Sequence, residues 1–358
     1  MVLEVILMRD RNLTNCKGEI TEKEKKFIKK ILKNYELQVL SIERVRSVYK
    51  VETNSGNICL KEIAKNKRKP VNGSILVEEL DKHGFPYIAK YFKTTDDHLF
   101  VKYNKSYYYV TEWINGHECD LNDLNEARKC MKLMANFHIT TLKIDGSKLK
   151  LRNNLKNWPK IFFSKLKDIQ YFKHIIKNKK IVTEFDNLYN SVIDDFYNMG
   201  ITALHLLNSS DYYSLSRKAN SKKSICHDSI YYQNIIKKDD DYYLIDLDSI
   251  KVDIHINDLG KVIRRLMFKK EYQWDFNKAK ELIESYSSAN PLSKADLGAM
   301  LSIIVFPHKF WKLGKNRYIK EKHWSEEKYI KKLNKLIDFD IPQQKFIKDY
   351  ITYVQHYK

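Results

Sequence analysis

Residues 225–250, ICHDSIYYQNIIKKDDDYYLIDLDSI, decide how this chain is read. His227, Asp228, Ser229, Asn234 and Asp246 fall within this one stretch. They lie among short runs rich in β-branched and aromatic residues, KSICH, NIIKK and DYYLIDLD, which predict strand pieces. The acidic run before Tyr242 predicts a turn between the last two. Helical spacing surrounds the stretch on both sides, so a small β insert concentrates the polar side chains of a helical region.

Working outward, helical patterns resume at Asn257 and continue to the C-terminus, with Pro291, Pro307 and Pro342 expected to mark breaks. Upstream, NEARKCMKLMANFHITTL at 125–142 and most of 160–220 are amphipathic. Before Gly116 the texture differs. ITEKEKKFIKKILKNY at 20–35 predicts a helix capped by Thr21, with Glu24 three residues on. YELQVLSIERV, VRSVYKVET and ICLKEI predict strands, with a turn at NSG, 54–56. SILVEELDKHG, 74–84, predicts a helix stopping at Gly84, and HLFVKYN and KSYYYVTEWI predict two more strands. The expected organisation is α+β: a small unit over 1–115 built on an antiparallel sheet, then a mostly helical unit over 116–358 carrying the β insert.

The chain has 358 residues and a formal net charge of +20. Lysine outnumbers arginine by 54 to 11, and acidic residues are interleaved with both. Arginine is the better bidentate reader of phosphate and base edges, so the charge does not point to specific nucleic-acid recognition. Cysteines at 16, 59, 119, 130 and 226 are odd in number and include no Cys-x-x-Cys pair. Neither a disulfide framework nor a zinc site is expected, and a reducing compartment is. MVLEVILMRDRN is too short in its apolar run for a signal peptide, and AMLSIIVFP at 299–307 is far too short for a membrane span. A cytoplasmic place of synthesis is expected.

Several stretches together resemble the CotS family of spore coat proteins, within the aminoglycoside phosphotransferase branch of the kinase-like fold. They are VYKVETNSGNICLKEI, YYYVTEWINGHE, FHITTL, NWPKIFFSKLKDIQYFK, ICHDSIYYQNII, YYLIDLDSI with NDLGKVIRRL, and FPHKFWK, spread over about residues 36 to 312. The resemblance implies a bilobal kinase-like protein with a small antiparallel-sheet N-lobe and a helical C-lobe. It also implies synthesis in a mother cell, incorporation into a spore coat beside other coat proteins, and Mg²⁺ and ATP as cofactors.

Residue by residue, the resemblance makes Lys61 the phosphate-reaching lysine and Glu79, on one helical face with Ile75, Leu76 and Leu80, its partner. The loop over the phosphates would be IERVRSVYK, which contains no glycine and in which Ser47 is small enough to serve. Thr111, Glu112, Trp113 and Ile114 would form the hinge against an adenine edge. Asn234 and Asp246 would hold Mg²⁺ through oxygen. Asp248 adds a carboxylate, expected on the other side of the strand. Asp258 would brace the catalytic loop, with His227 bonding the loop backbone.

The family pattern is His-x-Asp-x-x-x-x-Asn. Here x is Asp228 and the expected aspartate is Ser229. Neighbouring side chains in an extended loop point apart, so Asp228 does not simply replace the base, although a local shift would bring it inward. Two readings follow. One is a structural or assembly protein of the coat, an Mg·ATP-binding pseudokinase; the other is an active phosphotransferase acting on a small hydroxyl compound, a sugar or a coat protein. A third, binding of anionic polymers by the lysine-rich surface, predicts salt-sensitive retention. FPHKFWK is expected to form a packed aromatic corner.

Overall fold

The computed structural model describes residues 20–63 and 66–357. They group into two units: residues up to Glu78 with Ile88–Gly116, and Glu79–Tyr87 with His117 onward.

In the first unit, α1 (Glu22–Leu32) begins at a capping box. The Glu24 amide donates to the Thr21 hydroxyl at 3.2 Å, and the Thr21 amide donates to the Glu24 carboxylate at 3.0 Å. Ile28, Ile31 and Leu32 recur at helical spacing and are fully buried against Val51, Leu60 and Val110. Those partners come from β2 (Val48–Thr53), β3 (Gly56–Ile63) and a later strand. β1 (Val39–Val45) pairs with β2 around a two-residue turn, since Val45 faces Val48 and Arg46 takes φ 55°.

Helix α2 (Arg68–Lys82) starts well before the expected 74, because Pro70 lies in its first turn, where no donor is lost. Gly73 follows in α2 because a Cβ there would overlap the Tyr91 ring hydroxyl. β4 (Tyr91–Phe92), β5 (Phe100–Tyr103) and β6 (Ser106–Glu112) complete an antiparallel sheet in the order β1-β2-β3-β6-β4, with β5 also on β6.

The second unit opens with β7 (His117–Glu118) and the helices α3 (Leu124–Thr141), α4 (Trp158–Lys177), α5 (Glu184–Asn208) and α6 (Tyr212–Ser221). The insert follows as β8 (Ile225–Cys226), β9 (Ile235–Lys238), β10 (Asp241–Leu244) and β11 (Lys251–Val252). β9 and β10 form a hairpin closed by Asp239–Asp240, with β7 as its third strand, while β8 pairs with β11. The last strand is shorter than DYYLIDLD. It ends at Leu244 because Asp246 adopts φ 66°, ψ 64°, in the left-handed region, and a 3₁₀ turn follows over Leu247–Ser249. Asp248 therefore sits in that turn, and the expectation that it points across a strand from Asp246 does not hold.

Helices α7 (Ile256–Met267), α8 (Phe276–Ser287), α9 (Lys294–Val305), α10 (His308–Tyr318), α11 (Glu326–Ile337) and α12 (Asp340–His356) complete the unit. Pro342 does not break a helix; it occupies the first turn of α12. AMLSIIVFP is mostly α9, buried on all sides from Ala299 to Val305. α7 packs closely on it, since a Cβ at Gly260 would stand 3.0 Å from Met300 Cγ. That approach fixes the helix carrying Asp258, Lys261, Arg264 and Arg265 against the core. No helix among the described residues is long and apolar enough to cross a membrane.

Candidate functional site

Asp258 holds the start of the loop between β8 and β9. Asp258, in the first turn of α7, is 2% exposed. Its Oδ2 accepts the His227 amide at 2.8 Å, and its Oδ1 accepts the Asp228 amide at 2.9 Å. His138 Nε2 lies 3.2 Å from Oδ2, and His138 Nδ1 lies 2.8 Å from the Tyr286 hydroxyl. Burial alone would push the Asp258 carboxyl up; the hydrogen bond from His138 and the charge of Lys261 outweigh it and hold the group well below the usual carboxylate range. His138, Cys226 and Asp258 have the residue types of a metal site, their ligand atoms within 4.8 Å of one another. Both His138 nitrogens are already engaged by neighbours, so the trio is read as a hydrogen-bonded brace.

His227 is fully buried, and its Nε2 donates to the Ile245 carbonyl at 3.0 Å. That bond assigns the proton to Nε2 and leaves Nδ1 buried without a hydrogen-bond partner among the described residues. Burial lowers the affinity of the ring for a second proton. Enclosed in this way, His227 bonds the loop backbone. The same bond fixes Ile245 beside Asp246. From the other side, the Ile245 amide donates to the Asn234 carbonyl at 3.0 Å. Asn234 and Asp246 thus stand at the open end of the β9–β10 hairpin, tied to each other through the backbone.

Asp228 and Ser229 part company. Asp228 takes φ 63°, a left-handed conformation that glycine and, among other residues, aspartate and asparagine tolerate best. Its Oδ1 accepts from Lys261 Nζ, from Lys251 Nζ at 2.9 Å and from Asn257 Nδ2 at 3.2 Å. Lys251 also reaches Asp253 at 3.3 Å, and Asp253 accepts from Trp158 Nε1 at 3.0 Å and Asn154 Nδ2 at 2.7 Å. Ser229 turns to Asn234, whose Nδ2 donates to the Ser229 carbonyl at 2.9 Å and to its hydroxyl at 3.2 Å. With Nδ2 so placed, Asn234 Oδ1, the atom a magnesium ion would take, lies on the opposite side of the amide. An amide oxygen and a carboxylate form the hard, all-oxygen donor set that magnesium prefers.

In the first unit, Ser47 is exposed at the tip of the β1–β2 hairpin. Lys61 lies on β3 opposite Tyr109, half-buried. Glu112 donates its amide to the Lys90 carbonyl at 2.8 Å, and Trp113 donates to the Asn57 carbonyl at 3.1 Å. Within 112–114 that leaves, among the described residues, the amide of buried Ile114 as the donor the sheet does not use. Glu79, in the last turn of α2, belongs to the second unit; it accepts from Lys82 at 2.9 Å, and this bond lowers its carboxyl from the ordinary value.

Lys251, Asn257, Lys261 and Asp253 were not singled out from the sequence, although NDLGKVIRRL and the Trp158 segment were. Their signal was present: Lys261, Arg264 and Arg265 recur at i, i+3 and i+4, which places three cations on one helix face.

The family described as "Spore coat putative kinase YutH" matches residues 28–350. Spore coat protein S of Bacillus subtilis (strain 168) is 23% identical over 338 residues, covering 91% of this chain and 94% of that protein. Among solved structures, an aminoglycoside phosphotransferase from Alicyclobacillus acidocaldarius superposes with a TM-score of 0.79 at 17% identity, covering 95% of this chain and 98% of the other. Spectinomycin phosphotransferase APH(9)-Ia, in complex with ADP and spectinomycin, gives 0.62 at 14% identity, with 91% and 97% covered. At such identities the structures establish the fold, which is kinase-like. The family match spans most of the chain, and this protein belongs to the YutH family of spore coat proteins.

Proposed function

We propose that this is a structural or assembly component of the endospore coat, made in the mother-cell cytoplasm, whose kinase-like fold binds Mg·ATP without an efficient general base. The carrying observation is the divergence at 228 and 229. A base must come within hydrogen-bond reach of the acceptor hydroxyl with capacity to take its proton. Ser229 has no such capacity at neutral pH, and Asp228 Oδ1 is committed to Lys251, Lys261 and Asn257.

The nucleotide half of the reading takes its roles from the family. Asn234 and Asp246 would hold magnesium, Lys61 would meet the phosphates, and the Ile114 amide would meet the adenine. Bound magnesium would draw charge from the phosphates. The chain's own part is to hold the backbone of these residues: His227 bonds the Ile245 carbonyl beside Asp246, and the Ile245 amide bonds the Asn234 carbonyl. Relatives of the fold have been solved with ADP, and with AMP-PNP and Ca²⁺ in an amicoumacin kinase, which supports this reading.

The test is thermal stability with and without Mg·ATP, since a specific ligand stabilises the folded state by mass action. Mg·ATP, and not ATP alone, should raise Tm, and Asp246→Ala should remove the effect. ATP consumption should stay at background in the wild type and rise in Ser229→Asp. Robust wild-type turnover would instead make the protein an active phosphotransferase. No shift at saturating Mg·ATP would leave the fold as a scaffold alone.

A further inference from the structure

A cavity of about 370 Å³ opens in the helical unit among α4, β11, α7 and α10. Its apolar lining includes Trp158, Ile161, Phe162 and Ile303. The charged lining is of one sign. Lys165 comes from α4, Arg264 and Arg265 from α7, and Lys309 and Lys312 from α10, and no carboxylate among the described residues lines the cavity.

FPHKFWK supplies one wall, and its residues divide between core and cavity. Phe306 packs on Phe162 with ring centroids 4.3 Å apart, and Phe310 stacks between Tyr189 at 4.2 Å and Phe196 at 4.1 Å. His308, Lys309 and Lys312 line the cavity, one turn of α10 apart. The expected aromatic corner is therefore half of the motif; the other half is a cationic surface.

Buried cations are ordinarily paired with carboxylates. Elsewhere in this unit that rule holds, as where Lys179 reaches the buried Asp186 at 2.6 Å. In the cavity Lys251 and Lys261 share Asp228, but the partners of the other cations are neutral. Arg264, 9% exposed, donates to the Ile303 carbonyl at 2.8 Å, and Arg265 donates to the Ile230 carbonyl at 2.8 Å. Lys165 lies 3.3 Å from His308 Nδ1 and 4.9 Å from the Trp311 ring centre, while Lys309 stands 3.9 Å from the centre of Phe268. Burial, reinforced by the neighbouring cations, pushes Lys165 and Lys309 each down to about 7 and Arg264 down to about 9. Charge gathered this way is unfavourable until an anion joins it.

We propose that this cavity binds a small organic polyanion, a molecule carrying two or more phosphate or carboxylate groups, held by Lys165, Arg264, Arg265, Lys309 and Lys312. Two guanidinium groups offer forked donors to planar or tetrahedral oxyanions. The aromatic lining suits a carbon skeleton, and the volume is that of a small-molecule site. Arg264 is buried and Lys165, Arg265 and Lys309 are half-buried, which places those four poorly for a polymer lying on the surface, while Lys312 is exposed. Lys251 and Lys261 line the same cavity while holding Asp228, so the ligand lies beside the loop 227–234. Binding in the cavity does not rest on the function proposed above.

The experiment is calorimetric titration of the full chain, without nucleotide, using pyrophosphate, citrate and inorganic phosphate as probes. Pyrophosphate or citrate should bind at one site, more tightly than inorganic phosphate. Lys309→Gln/Lys312→Gln should weaken binding at least ten-fold, and Lys309→Arg/Lys312→Arg should retain most of it. Lys165→Gln, from a different helix, should reproduce the loss independently. Lys23→Gln/Lys26→Gln, the same charge change on exposed positions of α1, should leave binding unchanged. Equal weakening by the cavity and α1 variants, binding only to a long polymer such as heparin, or no binding of any probe at millimolar concentration would each overturn the proposal. The Mg·ATP shift should survive Lys309→Gln/Lys312→Gln and polyanion binding should survive Asp246→Ala, which keeps failure of the two readings apart.

Discussion

Helix α7 serves two neighbouring regions with opposite habits. At its first turn, Asp258 receives two successive loop amides and a histidine, and the charge is matched on every side. One turn on, Lys261 is still matched, by Asp228. Lys261 also lines the cavity that Arg264 and Arg265 enter, where those two bond to the Ile303 and Ile230 carbonyls and, among the described residues, no carboxylate lines the wall. Matched charge in the first region builds a loop conformation. Unmatched charge in the second makes carbonyl bonds, Arg264 to Ile303 and Arg265 to Ile230, where neutral side chains of similar shape would often pack as well or better. The same helix therefore distinguishes charge used for architecture from charge held ready for a ligand.

The comparison breaks first at Asp258. Asp258→Ala should lower unfolding stability by about 3–5 kcal/mol, read from urea midpoints, because it strands His138 and two buried amides together. A loss below about 1 kcal/mol would mean that the β8–β11 pairing and Arg265 hold the loop unaided. The pH dependence has a definite sign. The folded carboxyl is held below its unfolded value near 4, so its contribution is complete above that value and is lost as pH falls beneath it. Asp258→Asn should flatten the acid limb of the stability profile between about pH 4 and pH 2.

In the cavity the sign should reverse. Lys309→Met removes a half-buried cation without a carboxylate partner, and should raise stability by about 1–2 kcal/mol at pH 7 while weakening polyanion binding. Its folded pKa of about 7 lies below the unfolded value near 10.4, so the unfolded chain binds more protons between the two. The penalty is absent above the unfolded value, grows as pH falls, and is complete below about 7. Wild-type stability should climb from pH 7 toward pH 10 on account of Lys165 and Lys309, and Lys309→Met should shallow that climb. A destabilised Lys309→Met would place the lysine with the architectural charges instead.

How much of this was legible in the sequence follows from the range of the interactions involved. The capping box at Thr21 and Glu24, the hairpin at Asp239–Asp240 and the buried run of α9 are local, and residue type and spacing suffice to predict them. The stop at Leu244 was not legible, because the DYYLIDLD pattern continues while the backbone of Asp246 turns left-handed. Nor was the fate of Asp228. Its lysine partners lie 23 and 33 residues downstream, so only the pairing of β8 with β11 and the docking of α7 bring them to it. The cavity was half legible: the periodic cations of α7 were visible, but their meeting with α4 and α10 is tertiary.

The smallest effect sharpens the comparison most, because it tests whether the loop's matching extends to the reacting end. Asn234 Nδ2 donates to both the carbonyl and the hydroxyl of Ser229. Ser229→Ala removes only the hydroxyl and leaves the shorter bond to the carbonyl, so stability should fall by no more than about 0.5–1 kcal/mol. The Mg·ATP shift in Tm should persist, since the remaining bond still orients the Asn234 amide. Should the shift vanish, the serine hydroxyl would be what aims Asn234 Oδ1. The residue at the expected base position would then have been recruited to hold the metal ligand, and Ser229→Asp would be expected to gain no turnover.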